Sequence, residues 1–400
     1  MLSLKATSNM LKRRFYLGII CKEESSKVVV KKVISKDVNL QKGDIICKLN
    51  KQKVSTLKEL NNMIYDESYK HNVELDIERE GKRIRVNSIL IEYPEEVVET
   101  YKTIYDSFLY KGLGFRVIIT CKNDRMNLNK NIVLLLQGVE CNSIDIPFAK
   151  NHSYKELVYG LSENKISVAR VDLFGNGDSE GDKCYKYTFN EIVDLYNEAI
   201  KYLNNKGFNV FLFGYSMGGV MAPILANVNK NYIKGVIIFD TIISSLDNYL
   251  LKNIIRQSML REEKKEFIQE KATKYFSFLN KLLIEKKSLE EVLEEDTYYK
   301  LFLDKDNLFL GHTYRYTQQI QDIDIKKEWE NVSQDILMIV GENDCAIDFN
   351  DHVSLYKELR KMNKEITIFV EQINHFFRKS DGKFSYETIE KIKTYLELRT

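Results

Sequence analysis

The chain has 400 residues, 60 of them Lys or Arg and 58 Asp or Glu, for a formal net charge of +2. Charge so closely balanced, with no basic run interleaved with aromatics, argues against nucleic acid as a partner. No segment approaches the length of a membrane span, so no integral membrane contact is expected. There is room for a small domain and for a larger one with a substantial core.

Lys5, Lys12, Arg13 and Arg14 make the start of the chain basic, but no apolar stretch with a small-residue cleavage site follows, so no signal peptide is expected. After this extension (1–14), Tyr16-Leu17-Gly18-Ile19 leads to the apolar run Val28 to Ile34 and then to Leu40-Gln41-Lys42-Gly43-Asp44-Ile45-Ile46. A helical stretch from Leu57 to Tyr65, a strand from Val73 to Arg79, a turn at Glu80-Gly81-Lys82 and a strand from Arg83 to Ile91 complete a small α+β pattern over 15–93. This pattern resembles a PDZ domain of the form found in HtrA-type and C-terminal processing proteases. The resemblance implies that Leu17, Gly18 and Ile19 offer backbone N–H groups to a peptide C-terminal carboxylate while the peptide adds a strand beside them. The alternative is a structural appendage or dimer contact with an occluded groove. Residues 94–112, which open on Pro94 and Glu95, are expected to be a linker with some helix.

From 113 onward, apolar runs alternate with helical patterns such as Phe189 to Leu203, as a mostly parallel sheet wrapped by helices requires. Asn131 to Leu136 reads as a buried strand ending in Gln137-Gly138-Val139. Ser167 to Asp172 reads as another, followed by the Gly-rich turn Leu173-Phe174-Gly175-Asn176-Gly177-Asp178-Ser179-Glu180-Gly181. The run Phe208 to Phe213 meets Gly214-Tyr215-Ser216-Met217-Gly218 and then a helical stretch, Val220 to Ala226. A G-x-S-x-G match alone is weak, but its setting between strand and helix makes Ser216 a candidate nucleophile. A serine hydroxyl must be presented on a sharp turn where an imidazole can take its proton.

After a strand at Gly235 to Phe239, residues 241–327 are far longer than an ordinary connection. Tyr275, Phe276, Leu279, Leu282 and Leu283 recur there at helical spacing, which predicts amphipathic helices. The segment Gly311-His312-Thr313-Tyr314-Arg315-Tyr316 is expected to pack, with contact to a substrate as the alternative. Asp335 to Val340 runs into Gly341-Glu342-Asn343-Asp344, and Ile366 to Val370 is followed by Ile373-Asn374-His375-Phe376-Phe377. Each is a short apolar strand followed by a turn bearing a polar group. His71, His152 and His352 read as surface or satisfied core residues.

Together these segments resemble an α/β-hydrolase of the esterase or serine aminopeptidase-like kind over 113–400, with 241–327 as a helical cap over the active site. The resemblance implies a triad of Ser216, Asp344 and His375, since the acid there follows a late strand and the histidine the last one. Glu342, Asp348 and Asp351 are rival acids, and Asp240 a further one. It also implies an oxyanion hole from the N–H groups of Met217 and Val139. Many relatives carry His-Gly where this chain has Gln137-Gly138, so Gln137 either touches substrate or ties down its loop; Tyr215 is a second candidate substrate contact. The Gly-rich turn is structural in such proteins.

The expected activity is acyl-enzyme hydrolysis of a carboxylic ester or related, conceivably peptidyl, acyl substrate. A serine peptidase, acyltransferase or thioesterase whose PDZ-like domain holds a peptide C-terminus would use the same triad. A catalytically silent binding module is the reading from another class. No metal or organic cofactor is expected. Cys21, Cys47, Cys121, Cys141, Cys184 and Cys345 show no C-x-x-C spacing, which predicts neither a zinc site nor a disulfide framework and points to a reducing, cytoplasmic compartment.

Overall fold

A computed structural model describes residues 11–66, 71–122, 130–149, 151–304 and 306–399. Contacts divide the chain into a unit of Lys12–Glu95 and a larger one from Glu96 onward. In the larger unit eight strands form one sheet: β1 (Tyr101–Tyr110), β2 (Leu113–Lys122), β3 (Asn131–Leu136), β4 (Ser167–Val171), β5 (Asn209–Tyr215), β6 (Ile233–Phe239), β7 (Ile336–Gly341) and β8 (Ile366–Glu371). Their spatial order is β8-β7-β6-β5-β3-β4-β2-β1. β2 runs antiparallel to β1 and β4, and all other pairs are parallel. Strands β3 and β7 are buried at every position, and so read as unbroken apolar runs rather than alternating ones.

Helices α1 (Ser153–Glu163), α2 (Phe189–Asn205) and α3 (Gly218–Val228) connect the central strands. Between β6 and β7 the insertion holds α4 (Leu246–Leu260), α5 (Lys265–Leu279), α6 (Leu289–Glu295), α7 (Tyr314–Gln321) and α8 (Ile325–Asn331). Helices α9 (Phe349–Lys361) and α10 (Tyr386–Glu397) return the chain to the sheet. The strand period of two sorts side chains into two cores. On β5, Val210 and Leu212 face the core shared with α2, α3, α9 and the insertion, while Phe211, Phe213 and Tyr215 face α1 and α10. Within the insertion Tyr275, Leu279, Leu282 and Leu283 are buried as expected, but Phe276 is 57% exposed and faces solvent. Among the described residues no helix is long and apolar enough to cross a membrane.

The stretch expected as a linker, 94–112, instead contributes β1. Lys111 and Gly112 both take positive φ, 51° and 81°, as a tight hairpin turn requires, and β1 pairs with β2 along its whole length. The strand was missed because it is an edge, mostly half-buried, and its apolar and polar positions alternate weakly.

The smaller unit is an antiparallel sheet in the order Ile19–Glu24, Lys27–Val33, Ile45–Leu49, Asn72–Arg79, Lys82–Ile89, with one helix, Leu57–Asp66. Val28, Ile46, Leu60, Leu75 and Ile77 fill its core. Asp44, almost wholly buried at the Gly43 turn, is paired with Arg79 at 2.7 Å.

Candidate active site

Ser216 stands between the end of β5 and the start of α3 with φ +52°. Its N–H donates to the Phe239 carbonyl at the end of β6, and its own carbonyl accepts from Gly219 N–H. A side-chain-bearing residue in this left-handed conformation costs on the order of 1–3 kcal/mol, held by the surrounding structure. The turn has no room for a side chain at Gly218, where a Cβ would lie 2.1 Å from the Leu136 carbonyl oxygen. That crowding presses the turn against the end of β3. Gly218→Ala should therefore part the two, and a shift of about 1 Å costs roughly 10²-fold in rate. The rate of fluorophosphonate modification of Ser216, compared with wild type, checks this.

The loop after β3 lies alongside, with Gly138 directly beside Ser216. Gln137 N–H donates to Tyr196 Oη and Gly138 N–H to Tyr154 Oη. Among the described residues the N–H groups of Val139 and Met217 have no acceptor, which leaves both available. Gln137 is buried and its Nε2 donates to the Glu140 carbonyl, so of its two expected roles it takes the loop-tying one. Tyr215 likewise serves the scaffold: its hydroxyl donates to the His375 carbonyl at 2.9 Å and its ring lies 5.1 Å from the imidazole.

His375 Nδ1 lies 2.5 Å from Asp344 Oδ2. Because the carboxylate can only accept, Nδ1 carries the proton and Nε2 is left as the basic nitrogen. The other Asp344 oxygen accepts the N–H groups of Ala346 and Ile347. Burial pushes the Asp344 carboxyl up, but the His375 ring and the Ile347 N–H hold it below the usual carboxylate value. Of the rival acids, Glu342 is exposed, Asp348 caps α9, and Asp351 lies 3.8 Å from Lys252. Ser216 Oγ makes no hydrogen bond among the described residues. Such contacts are often long before substrate binds.

Several groups at the site escaped the sequence reading. His312, in a segment for which the sequence favours packing over substrate contact, is buried and stacked on Tyr316 at 3.8 Å, and its Nε2 lies 2.8 Å from the Val139 carbonyl. A carbonyl only accepts, so Nε2 bears the proton. Burial, opposed by that carbonyl, keeps the ring below the usual histidine value. From α4, Arg256 donates to the Asp344 carbonyl and Gln257 to that of Cys345. Cys141, in the loop after β3, is disulfide-bonded to Cys184 beyond the Gly-rich turn, against the expectation of no disulfide. The two cysteines are 43 residues apart, and they meet because β3 and β4 are neighbours; no local spacing signals that. The Gly-rich turn is structural as expected. Its Ser179 hydroxyl donates to the Asp172 carbonyl, and Asp178 is paired with buried Arg116 at 3.0 Å.

In the smaller unit Leu17 is buried and Gly18 has φ +66°, where its carbonyl accepts the N–H groups of Ile34 and Ser35. The N–H groups of Leu17 and Gly18 have no acceptor among the described residues. Ile19 opens the edge strand Ile19–Glu24.

A doubly covered, mostly parallel eight-stranded sheet with a strained serine at its central elbow and a carboxylate–histidine pair on the loops of its last two strands defines an α/β-hydrolase, here with a PDZ domain before it. The model of the family described as serine aminopeptidase, S33, matches residues 150–375, over half of the chain, and the chain belongs to that family. A PDZ domain model matches residues 16–90. The chain is similar to esterase EstD of Thermotoga maritima, 23% identical over 268 residues, which cover 63% of this chain and 55% of that protein. It thus spans little more than half the length of that relative. It is also similar to the solved structure of Est1E from Butyrivibrio proteoclasticus with ferulic acid bound, at TM-score 0.49 and 15% identity over 73% of this chain and 98% of that one. An esterase of Pyrococcus furiosus gives TM-score 0.47 and 13% identity over 75% and 91%.

Proposed function

We propose that the protein is a serine hydrolase that forms an acyl-enzyme on Ser216, with carboxylic esters as its substrate class. In this mechanism His375, oriented by Asp344, takes the Ser216 Oγ proton through Nε2 as the oxygen attacks the acyl carbon. The N–H groups of Met217 and Val139 hold the oxyanion, His375 protonates the leaving group, and the same base then activates water. The observation that carries the reading is the 2.5 Å His375–Asp344 contact beside a left-handed Ser216 flanked by two unpaired N–H groups. The insertion acts as a cap in this reading, because it reaches both the acid turn and the loop after β3.

A second reading gives the acyl group a peptide. The free N–H groups at Leu17 and Gly18 beside an edge strand favour capture of a peptide C-terminus in the PDZ domain. The disulfide beside the site suits an oxidising compartment and counts against the cytoplasmic expectation.

The test is intact-protein mass spectrometry after fluorophosphonate treatment, followed by matched ester and amide panels with and without a peptide bearing a free C-terminus. A single adduct on wild type, absent from Ser216→Ala, with turnover of esters only, is the expected result. Amide turnover stimulated by a free peptide C-terminus would favour the peptidyl reading. An unlabelled wild type that turns over nothing would leave a binding module.

A further inference from the structure

Asp240 directly follows β6 and is fully buried, yet the serine–histidine–acid arrangement described above does not call on it. Its φ is +39°, the left-handed region that residues with side chains rarely adopt and that the surrounding structure must hold. One carboxyl oxygen accepts the N–H of Gly341, at the end of β7, at 2.9 Å. The other is buried and meets no N–H or O–H donor among the described residues. Carboxyl oxygens of Asp240 and Asp344 and a ring nitrogen of His375 all lie within 4.8 Å of one another. The ring nitrogen is already engaged with Asp344.

The charged and titratable groups around this cluster come from every element packed on it. Tyr215 stands at the end of β5, Tyr249 and Arg256 on α4, Asp344 and His375 on their turns, and His352 on α9, where Nε2 accepts the N–H of Thr241. Arg256 acts on Asp240 from α4, and its guanidinium also donates to the Asp344 carbonyl. Two carboxylates this close, out of water, cannot both ionise. Asp344 accepts three donors, from His375, Ala346 and Ile347, whereas Asp240 accepts one.

We propose that Asp240 and Asp344 form a carboxyl pair holding a single proton, which sits on Asp240 and is donated to Asp344. Burial and the neighbouring Asp344 charge push Asp240 well above the usual carboxylate value, in keeping with this placement. Asp240 is then a positioning residue: its O–H fixes the Asp344 carboxylate and draws charge from it. The consequence for catalysis rests on the hydrolase reading; the position of the proton does not.

The experiment uses the full-length protein, with Asp240→Asn as a neutral isostere and Asp240→Ala as a variant without the donor. Infrared difference spectra at neutral pH should show one protonated, buried carboxyl in wild type that is missing from Asp240→Asn. The titration of the His375 ring is followed by NMR and assigned against His375→Gln. It should stay within ~0.3 pH unit of wild type in Asp240→Asn and rise by about one unit in Asp240→Ala. A fall of about one unit or more in Asp240→Asn, or no carboxyl band lost, would mean an ionised Asp240 and overturn the proposal. No change in Asp240→Ala would equally overturn it, by removing the hydrogen bond. If the alanine variant does not fold, the asparagine and infrared results decide alone. Fluorophosphonate labelling and ester turnover of wild type, run alongside, report separately on the hydrolase reading.

Discussion

Ser216→Ala is expected to lower kcat/KM on an activated ester by about 10⁴–10⁶-fold, and His375→Ala by a similar factor. The two together should be little worse than either, because a nucleophile and its base act as a unit. Asp344→Asn should cost about 10⁴-fold: it removes the acceptor that holds the proton on Nδ1, and with it the basic Nε2. The Ser216 elbow and the Asp344 turn follow strands buried at nearly every position, so these changes should leave the thermal unfolding midpoint nearly unmoved. Steady-state kinetics beside a melting curve checks both parts. A Ser216→Ala protein that keeps wild-type turnover would end the acyl-enzyme reading.

The largest effect on stability is expected at Glu96. Arg170, on β4, is wholly buried and bonds both carboxyl oxygens of Glu96, at 2.8 and 3.3 Å, together with the Ile144 carbonyl and the Thr120 hydroxyl. Glu96 in turn accepts from Ile146 N–H and Tyr159 Oη. Burial pushes the Glu96 carboxyl up, but the Arg170 guanidinium and these donors hold it below its usual value. Removing one partner leaves the other charge uncompensated, so Glu96→Ala should destabilise the larger unit by about 3–5 kcal/mol. Glu96→Leu combined with Arg170→Met should cost much less, since the stranded charge has gone. The sign with pH follows from the lowered value. The contribution is complete above the unfolded carboxylate value of about 4.3 and fades as pH falls through the folded one. The gap between wild type and Glu96→Gln should therefore close on acidification. Urea titrations at neutral and acid pH measure it, and equal unfolding midpoints for wild type and Glu96→Ala would refute the account.

How much of this could be read from the sequence varied with how local the signal was. β3, β5 and β7 announce themselves as apolar runs because strands covered on both faces have no solvent side to alternate with, whereas β8 is an edge strand with Thr367 exposed and is legible from its β-branched and aromatic residues. Ser216, Asp344 and His375 follow because each sits immediately after such a run. By contrast β1 is an edge, and its half-buried residues carry a diluted pattern. His312, Arg256 and the Cys141–Cys184 bond depend on which loops the topology gathers at one end of the sheet, and no window of sequence contains both partners. Asp240 was visible as a rival acid, but its backbone conformation and its closeness to Asp344 were not. Gln137 and Tyr215, candidate substrate contacts in the sequence, have side chains bonded to backbone carbonyls, of Glu140 and His375 respectively.

The insertion leaves the sheet after β6 and returns at β7, and those strands are direct neighbours with an unbroken parallel ladder between Val236–Phe239 and Ile336–Ile339. Strand order and register are therefore indifferent to what lies between them, although the insertion shares the core on one face of the sheet with α2, α3 and α9. On the hydrolase reading proposed above, a change of substrate selectivity would come from this insertion, which reaches the Asp344 turn and the loop after β3. Any replacement module must bring its own grip on the Asp344 and Cys345 carbonyls, now held by Arg256 and Gln257, and on the Val139 carbonyl, now held by His312. Those three couplings are the fittings by which a transplanted cap would be judged compatible.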